Sequence, residues 1–272
     1  MRRRRVRPPL LIGAAIAGIV VVAALVSLAF DPYEVTRPVI VDRFLRPSLA
    51  HPLGTDHNGR DVFLMTLLGA RSALYVALVS VLVGAAVGVP AGLFAAARGG
   101  VPGEAAMRAG DILFAFPALV TAAMIAAVFG PSATGAALAI GVFNVPVFAR
   151  LARAGGLALM GRDFILAARL AGKRMPRVVA EHVLPNVAGV LVVEGATLTG
   201  FGILAEAGLS FVGLGTQSPM PSWGRMLYET QTMIPLAPHL VLPGVVVIVA
   251  VIGFNMLGDG INDALDPRLG PA

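Results

Sequence analysis

The chain has 272 residues, of which 57% are hydrophobic and only 13% charged, about half the charged share of an ordinary soluble domain. Its charges gather between long apolar runs, so the expected class is an all-α, polytopic membrane protein. The net charge of +6 lies on the flanks of those runs without interleaved aromatics, which argues against a nucleic-acid partner. No cysteine is present, excluding disulfides and thiolate chemistry, and the four scattered histidines form no HExxH-type pair, so neither a metal site nor a catalytic residue is expected.

Residues 1–9 (MRRRRVRPP) form a basic tail before an apolar run over 10–30. Such a run spans about 30 Å as a helix, one bilayer core. A retained signal-anchor is favoured over a cleaved signal peptide, although Ser27-Leu28-Ala29 loosely resembles a cleavage site. Residues 31–70 are polar and loop-like, centred on HPLGTDHNGRDVF (51–63). There His51, Asp56, His57 and Asp61 suggest metal ligands, but their spacing does not repeat and Arg60 is a ready ion-pair partner.

A second span is expected over 72–97. Its Gly84, Gly88 and Gly92 recur every fourth residue, a pattern that permits close helix contact in lipid, and Pro90 suggests a kink. A short connector (98–111) precedes a third span over 112–129 containing Pro117; a turn, GPSATG, then leads to a fourth over 136–149. Asn144 and Pro146 lie deep in that run, suggesting either a broken helix lining a cavity or an interhelical hydrogen bond.

The most basic window away from the N-terminus is DFILAARLAGKRMPRVVAEHVLP (163–185), which is read as two short helices hinged at Gly172. Asp163 would cap the first, and Pro176 would open a second that closes before Pro185. Ala167 and Ala168 would let another protein approach the backbone closely. The rival is an ordinary basic cytoplasmic loop. A fifth span follows over 186–205 with Glu194 near its middle, a costly carboxylate that either contacts a cationic substrate or partner or pairs with a basic group of another helix. A long Gly/Pro-rich connector (206–239) holds the single Trp223, and a sixth span covers 240–258. With the N-terminus inside, fifteen of the 21 Lys and Arg residues fall on the inner side, which puts both termini and the elbow in the cytoplasm.

The elbow resembles the EAA loop of the inner-membrane permease subunits of ABC importers. Ala167, Ala168, Gly172, Leu184 and Pro185 stand at matching positions, while Leu166 replaces the Glu of that pattern and His182 its Ile. HPLGTDHNGRDVF (51–63), GARSAL (69–74), AEAGLSFVGLG (205–215), PSWGRML (221–227) and FNMLGDGINDALDPRL (254–269) add collinear matches to the dipeptide, oligopeptide and nickel branch, of the DppC/OppC-like kind.

The resemblance implies a six-helix, MetI-like fold of type I importers: a tail and first span (1–30), an outer loop (31–70), a transmembrane core (71–260) and a cytoplasmic tail (261–272). It implies a multi-pass protein of the bacterial cytoplasmic membrane, surrounded by lipid. Its partners would be a homologous DppB/OppB-like permease, two ABC ATPase subunits carrying ATP and Mg, and an extracytoplasmic binding protein. Leu166, Ala167, Ala168, Gly172, His182, Leu184 and Pro185 would then couple to an ATPase, with Glu194 and Asn144 as candidates for the solute path. No GxxxxGK[ST] occurs in the chain, so it holds no nucleotide by that motif. Peptides are the expected cargo, with nickel or another small solute as runner-up. A self-sufficient channel or secondary transporter would call for an inverted repeat with paired ionisable groups, and no repeat is evident.

Overall fold

A computed structural model describes residues 8–114 and 117–265, and the described residues are helical throughout apart from turns, loops and one isolated bridge. In chain order the helices are α1 (Pro8–Val26), α2 (Pro32–Val35), α3 (Val62–Arg98), α4 (Gly100–Phe114), α5 (Ala118–Phe129), α6 (Ala133–Met160), α7 (Asp163–Leu170), α8 (Met175–Val178), α9 (Leu184–Phe211), α10 (Trp223–Thr230) and α11 (Leu242–Leu265). Five helical segments among them are long and apolar enough to cross a membrane: Pro8–Ala29, Val62–Arg98, Ala133–Met160, Met175–Phe211 and Pro238–Leu265.

The expected third span is the exception. Residues 112–129 are divided between the end of α4 and α5, and Pro117 stands as the N-cap of α5 with an extended ψ of 139°. Proline lacks the N–H a continuing helix needs, and its ring disfavours helical geometry in the residue before it. The twelve residues of α5 reach only about 18 Å, short of a full crossing.

Other boundaries also move. α3 begins at Val62, where Asp61 caps it by accepting from the Leu64 N–H at 3.0 Å, so the loop expected over 31–70 ends nine residues earlier. α6 runs on to Met160, carrying Arg150 and Arg153 on its last turns, not on a connector. α9 extends to Phe211, and α10 occupies the middle of what reads as an uninterrupted connector.

Nor does Pro185 end a helix. From Met175 to Phe211 the chain is continuously helical, because residues Val179–Val183 form one widened π turn in which the Leu184 N–H donates to the Val179 carbonyl, five residues back. A π turn just ahead of a proline lets the helix absorb the missing N–H without breaking.

α3 is the hub, packed against α6, α9, α1 and α4, while α11 lies against α1 and α9. The α3–α6 contact is the most extensive between helices of the described residues, and the four-residue glycine spacing leads one to expect a close one. A Cβ placed on Gly84 would stand 2.4 Å from the Asn144 Cβ, one on Gly88 would stand 2.3 Å from the Val145 carbonyl oxygen, and one on Gly92 2.1 Å from that of Ala149. One face of α3 is thus bare backbone laid on the α6 backbone.

Candidate functional site: elbow, loop platform and helix carboxylates

The elbow is built from α7, the turn at 171–174, α8 and the π turn. Ile165 and Ala168 on α7 face inward and join Val178, Val183, Val187, Leu93 and Ala152 in an apolar core. Phe164, Leu166 and Leu170 are left outside, with Leu166 44% and Leu170 90% exposed. The two alanines therefore part company: Ala167 is exposed, whereas Ala168 is packed into the elbow itself and offers no outward contact. Asp163 opens α7 in its first turn, and the N-cap position is Arg162, without a side-chain cap.

Gly172 ends α7 with φ at +82°. Its N–H donates to the Arg169 carbonyl at 2.9 Å and that of Lys173 to Ala168 at 3.2 Å, the paired bonds of a Schellman stop. Only glycine takes that left-handed conformation without strain. The turn is stitched to the next helix by charges: Lys173 and Arg177 each donate to Glu181 at 2.6 Å, and the Lys173 Nζ lies 3.1 Å from the His182 Nε2. His182 also meets Phe164 edge-on, with ring centroids 6.5 Å apart. Leu184 and Pro185 are exposed on the first turn of α9. Every residue of the EAA-like set thus lies in one compact elbow, in which Leu166 offers an apolar surface, not a charge.

At the opposite end of the bundle, the loop 36–61 folds over α10 and the start of α3. Arg60 is the clasp. Its guanidinium pairs with Asp56 and with Glu229 of α10, each at 2.6 Å, and Arg225 adds a 3.0 Å bond to Glu229. Burial works against the charge on Glu229, but the Arg60 and Arg225 guanidinium groups outweigh it and hold the carboxyl below its usual range. Burial likewise opposes the Arg60 charge and the two carboxylates overcome it.

Asp56 is consumed by Arg60 and by the Asn58 and Arg60 N–H groups, and His51 by Asp61 at 2.7 Å. These internal pairings account for the carboxylates that the sequence offers as metal ligands. Trp223, fully buried, donates its indole N–H to the Thr66 carbonyl at 2.9 Å and lies so close to Gly69 that a Cβ there would stand 2.5 Å from the ring. Ser72 donates to the Pro221 carbonyl at 2.6 Å. Thr36, Arg60, Pro219, Ser222, Arg225 and Glu229 are among the residues lining an open cleft in this platform.

Because a carboxylate with a depressed folded-state value contributes stability above its unfolded value and loses it as pH falls through the folded one, the clasp weakens only below about pH 4. Breaking it from the cationic side has a larger effect. Arg60→Met removes the cation that Asp56 and Glu229 share, leaving Asp56 its backbone N–H bonds and Glu229 only Arg225, at a cost of about 3 kcal/mol. The expected result is faster amide hydrogen exchange over 36–61 with unchanged exchange in the elbow; equal exchange over that loop in wild type and variant would disprove the clasp.

Of the two path candidates, Glu194 is half-buried on α9 and makes no hydrogen bond or ion pair among the described residues. Asn144 is fully buried at the α3–α6 crossing beside Gly84, with both amide atoms unpartnered, so it presents no surface in this conformation.

A third polar residue, Glu206, escapes a sequence reading that starts a connector there. It is fully buried near the end of α9, and its Oε1 accepts from the Ser210 hydroxyl at 2.7 Å and the Thr216 hydroxyl at 3.0 Å. Ser210 in turn accepts from the Thr216 N–H at 3.0 Å, so the carboxyl ties the returning loop to the helix. Ser210, four residues on and so on the same helix face, is the one sequence sign of this cage.

Residues 88–271 match the family described as binding-protein-dependent transport system inner membrane component. The chain is 39% identical over 263 residues to a dipeptide transport system permease protein, DppC, of Alkalihalophilus pseudofirmus, covering 94% of this chain and 86% of the relative. It is 38% identical over 262 residues to a glutathione transport system permease protein, GsiD, of Pectobacterium atrosepticum, covering 94% and 87%. Among solved structures, an inward-facing form of the MetNI methionine ABC transporter superposes with a TM-score of 0.61 at 20% identity, covering 74% of this chain and 96% of that one, a likeness of fold.

Proposed function

We propose that this chain, which belongs to the family of binding-protein-dependent transport system inner membrane components, forms with a homologous permease the path by which peptides enter the cell. It is a multi-pass permease subunit of an ABC importer, and transport, not covalent chemistry, is its work. The observation that carries the finer reading is the elbow: a rigid, charge-stitched turn with Phe164, Leu166 and Leu170 bare on its outside and basic residues around them. Such a projection suits a groove on a partner.

In this account the elbow faces the cytoplasm, as do both termini, consistent with the Lys/Arg bias. Leu166, Ala167 and the turn at Gly172 touch an ATPase subunit, one of two that bind ATP and Mg, while this chain binds neither. Closure of the ATPase pair moves the elbow and shifts the helices between inward-open and outward-open populations. An extracytoplasmic binding protein delivers cargo at the platform of 36–61 and 213–230. Dipeptides, oligopeptides or glutathione-like peptides are the cargo suggested by the relatives' names. Glu194, half-buried on α9, meets the solute.

Purification of the tagged chain from its native membranes in mild detergent tests the assembly. A second permease together with proteins bearing a nucleotide-binding GxxxxGK[ST] motif is the expected outcome. Recovery of the chain alone, as a homo-oligomer that exchanges solute without ATP, would refute it.

A further inference from the structure

Three phenylalanines on three helices form a contiguous row. The rings of Phe143 (α6) and Phe201 (α9) stack with centroids 6.0 Å apart, and Phe114 (α4) meets Phe143 edge-on at 5.1 Å. Core aromatics of this protein are sealed: Phe148, on another face of α6, is 2% exposed. The row is not sealed, since Phe201 is 39% exposed and Phe114 and Phe143 are only partly covered.

Charge is placed on one side of this row. Glu194 precedes Phe201 by seven residues and Arg150 follows Phe143 by seven, which returns each to its aromatic's face about 10 Å further along its helix. α6 runs toward the elbow and α9 away from it, so both charges lie on the elbow side of the stack. Arg150 is paired there with Asp111, and its guanidinium stands 4.5 Å over the Phe114 ring. Glu194 lacks a cation among the described residues. An apolar ring of side chains with half-exposed charges beyond it is the arrangement by which a pore excludes water and ions at rest while keeping the approach to it polar.

We propose that Phe114, Phe143 and Phe201 are this subunit's share of an apolar constriction in the solute path, with Glu194 and the Asp111–Arg150 pair forming a charged vestibule on its elbow side. The inference rests on the permease reading and refines its cargo. A vestibule offering a carboxylate unpaired among the described residues and a guanidinium suits a solute that carries an ammonium and a carboxylate group around an apolar body. The stack between is the barrier such a zwitterion passes only when the helices separate.

The natural absence of cysteine makes the test direct, since each variant carries a single thiol on this chain. F201C, F143C, E194C and, as a buried control, F148C are prepared in the assembled complex in membrane vesicles. Each is treated with a charged, water-soluble methanethiosulfonate reagent, without nucleotide and in the ATP–vanadate-trapped state. E194C is expected to react readily without nucleotide. F201C and F143C are expected to react about tenfold faster in one state than in the other, and F148C in neither. Labelling of F201C and F143C no faster than F148C in both states overturns the constriction, because a face covered by lipid or by a packed subunit excludes the reagent. A wild-type chain that assembles with no nucleotide-binding subunit overturns the importer reading itself, an outcome seen before any labelling is done.

Discussion

Gly172→Val is expected to abolish most coupled uptake while the protein still reaches the membrane and its partners still hydrolyse ATP. No atom lies within 4 Å of where the added Cβ would stand, so the substitution creates no clash. Its whole effect comes from the backbone, held at φ +82°. An L-residue there costs about 1–2 kcal/mol, and a β-branched one stands at the upper end, which shifts the share of chains with the native turn by a factor of about 5–30. Relief comes from abandoning the Schellman stop, which re-aims Phe164, Leu166 and Leu170. Gly172→Asn is the companion variant: asparagine tolerates the left-handed conformation, so uptake is expected to recover most of the way. The measurement is cargo uptake per ATP hydrolysed in proteoliposomes. A valine variant with an unchanged ratio would remove the elbow from the coupling path.

Gly88→Leu is expected to prevent recovery of a folded, monodisperse protein, and Gly88→Ala to lower its thermal stability. Two effects oppose one another at this position. Alanine favours a helix over glycine by about 1 kcal/mol. Against that, the new Cβ would stand 2.3 Å from the Val145 carbonyl oxygen, a backbone atom that moves only if the helices part. Overpacking of that kind costs about 1–3 kcal/mol for one methyl and more for a larger side chain, so the clash outweighs the propensity gain. Gly208→Ala in α9 isolates the propensity effect, since nothing lies within 4 Å of its added methyl, and that variant is expected to match or exceed wild type. Size-exclusion profiles after graded heating in detergent report all three. A Gly88→Leu protein as heat-stable as wild type would mean that the α3–α6 contact is not the bundle's main seam.

The α3–α6 seam was legible in the sequence because its signal is local: glycine every fourth residue marks a face whatever lies opposite. The elbow was legible for the same reason, in a run of residues whose turn is fixed by one glycine. Pro185 misled because proline ordinarily stops a helix, and nothing in the adjacent residues announces that a π turn will absorb it. The division of residues 112–129 at Pro117 is the converse case, a proline that does interrupt, and composition does not separate the two. Glu206 was hidden differently. Its partner Thr216 arrives only when the chain folds back over α9, so the cage exists in three dimensions and not along the sequence. The same holds for Arg60 and Glu229, 169 residues apart.

The unbroken helix from Met175 to Phe211 has a mechanical consequence. Its 37 residues make a strut about 55 Å long, well beyond the roughly 30 Å of bilayer hydrocarbon, with the elbow at one end and the Glu206 cage at the other. A strut that swings by about ten degrees near one end carries the far end through roughly 10 Å, whereas a helix broken at Pro185 would dissipate the motion in the break. The one departure from α-helical bonding along it is the π turn at 179–183, placed close to the elbow end. Under the coupling scheme proposed above, travel at the far end is set by stiffness in the 28 residues of α9, so a proline introduced there shortens the stroke without touching either end.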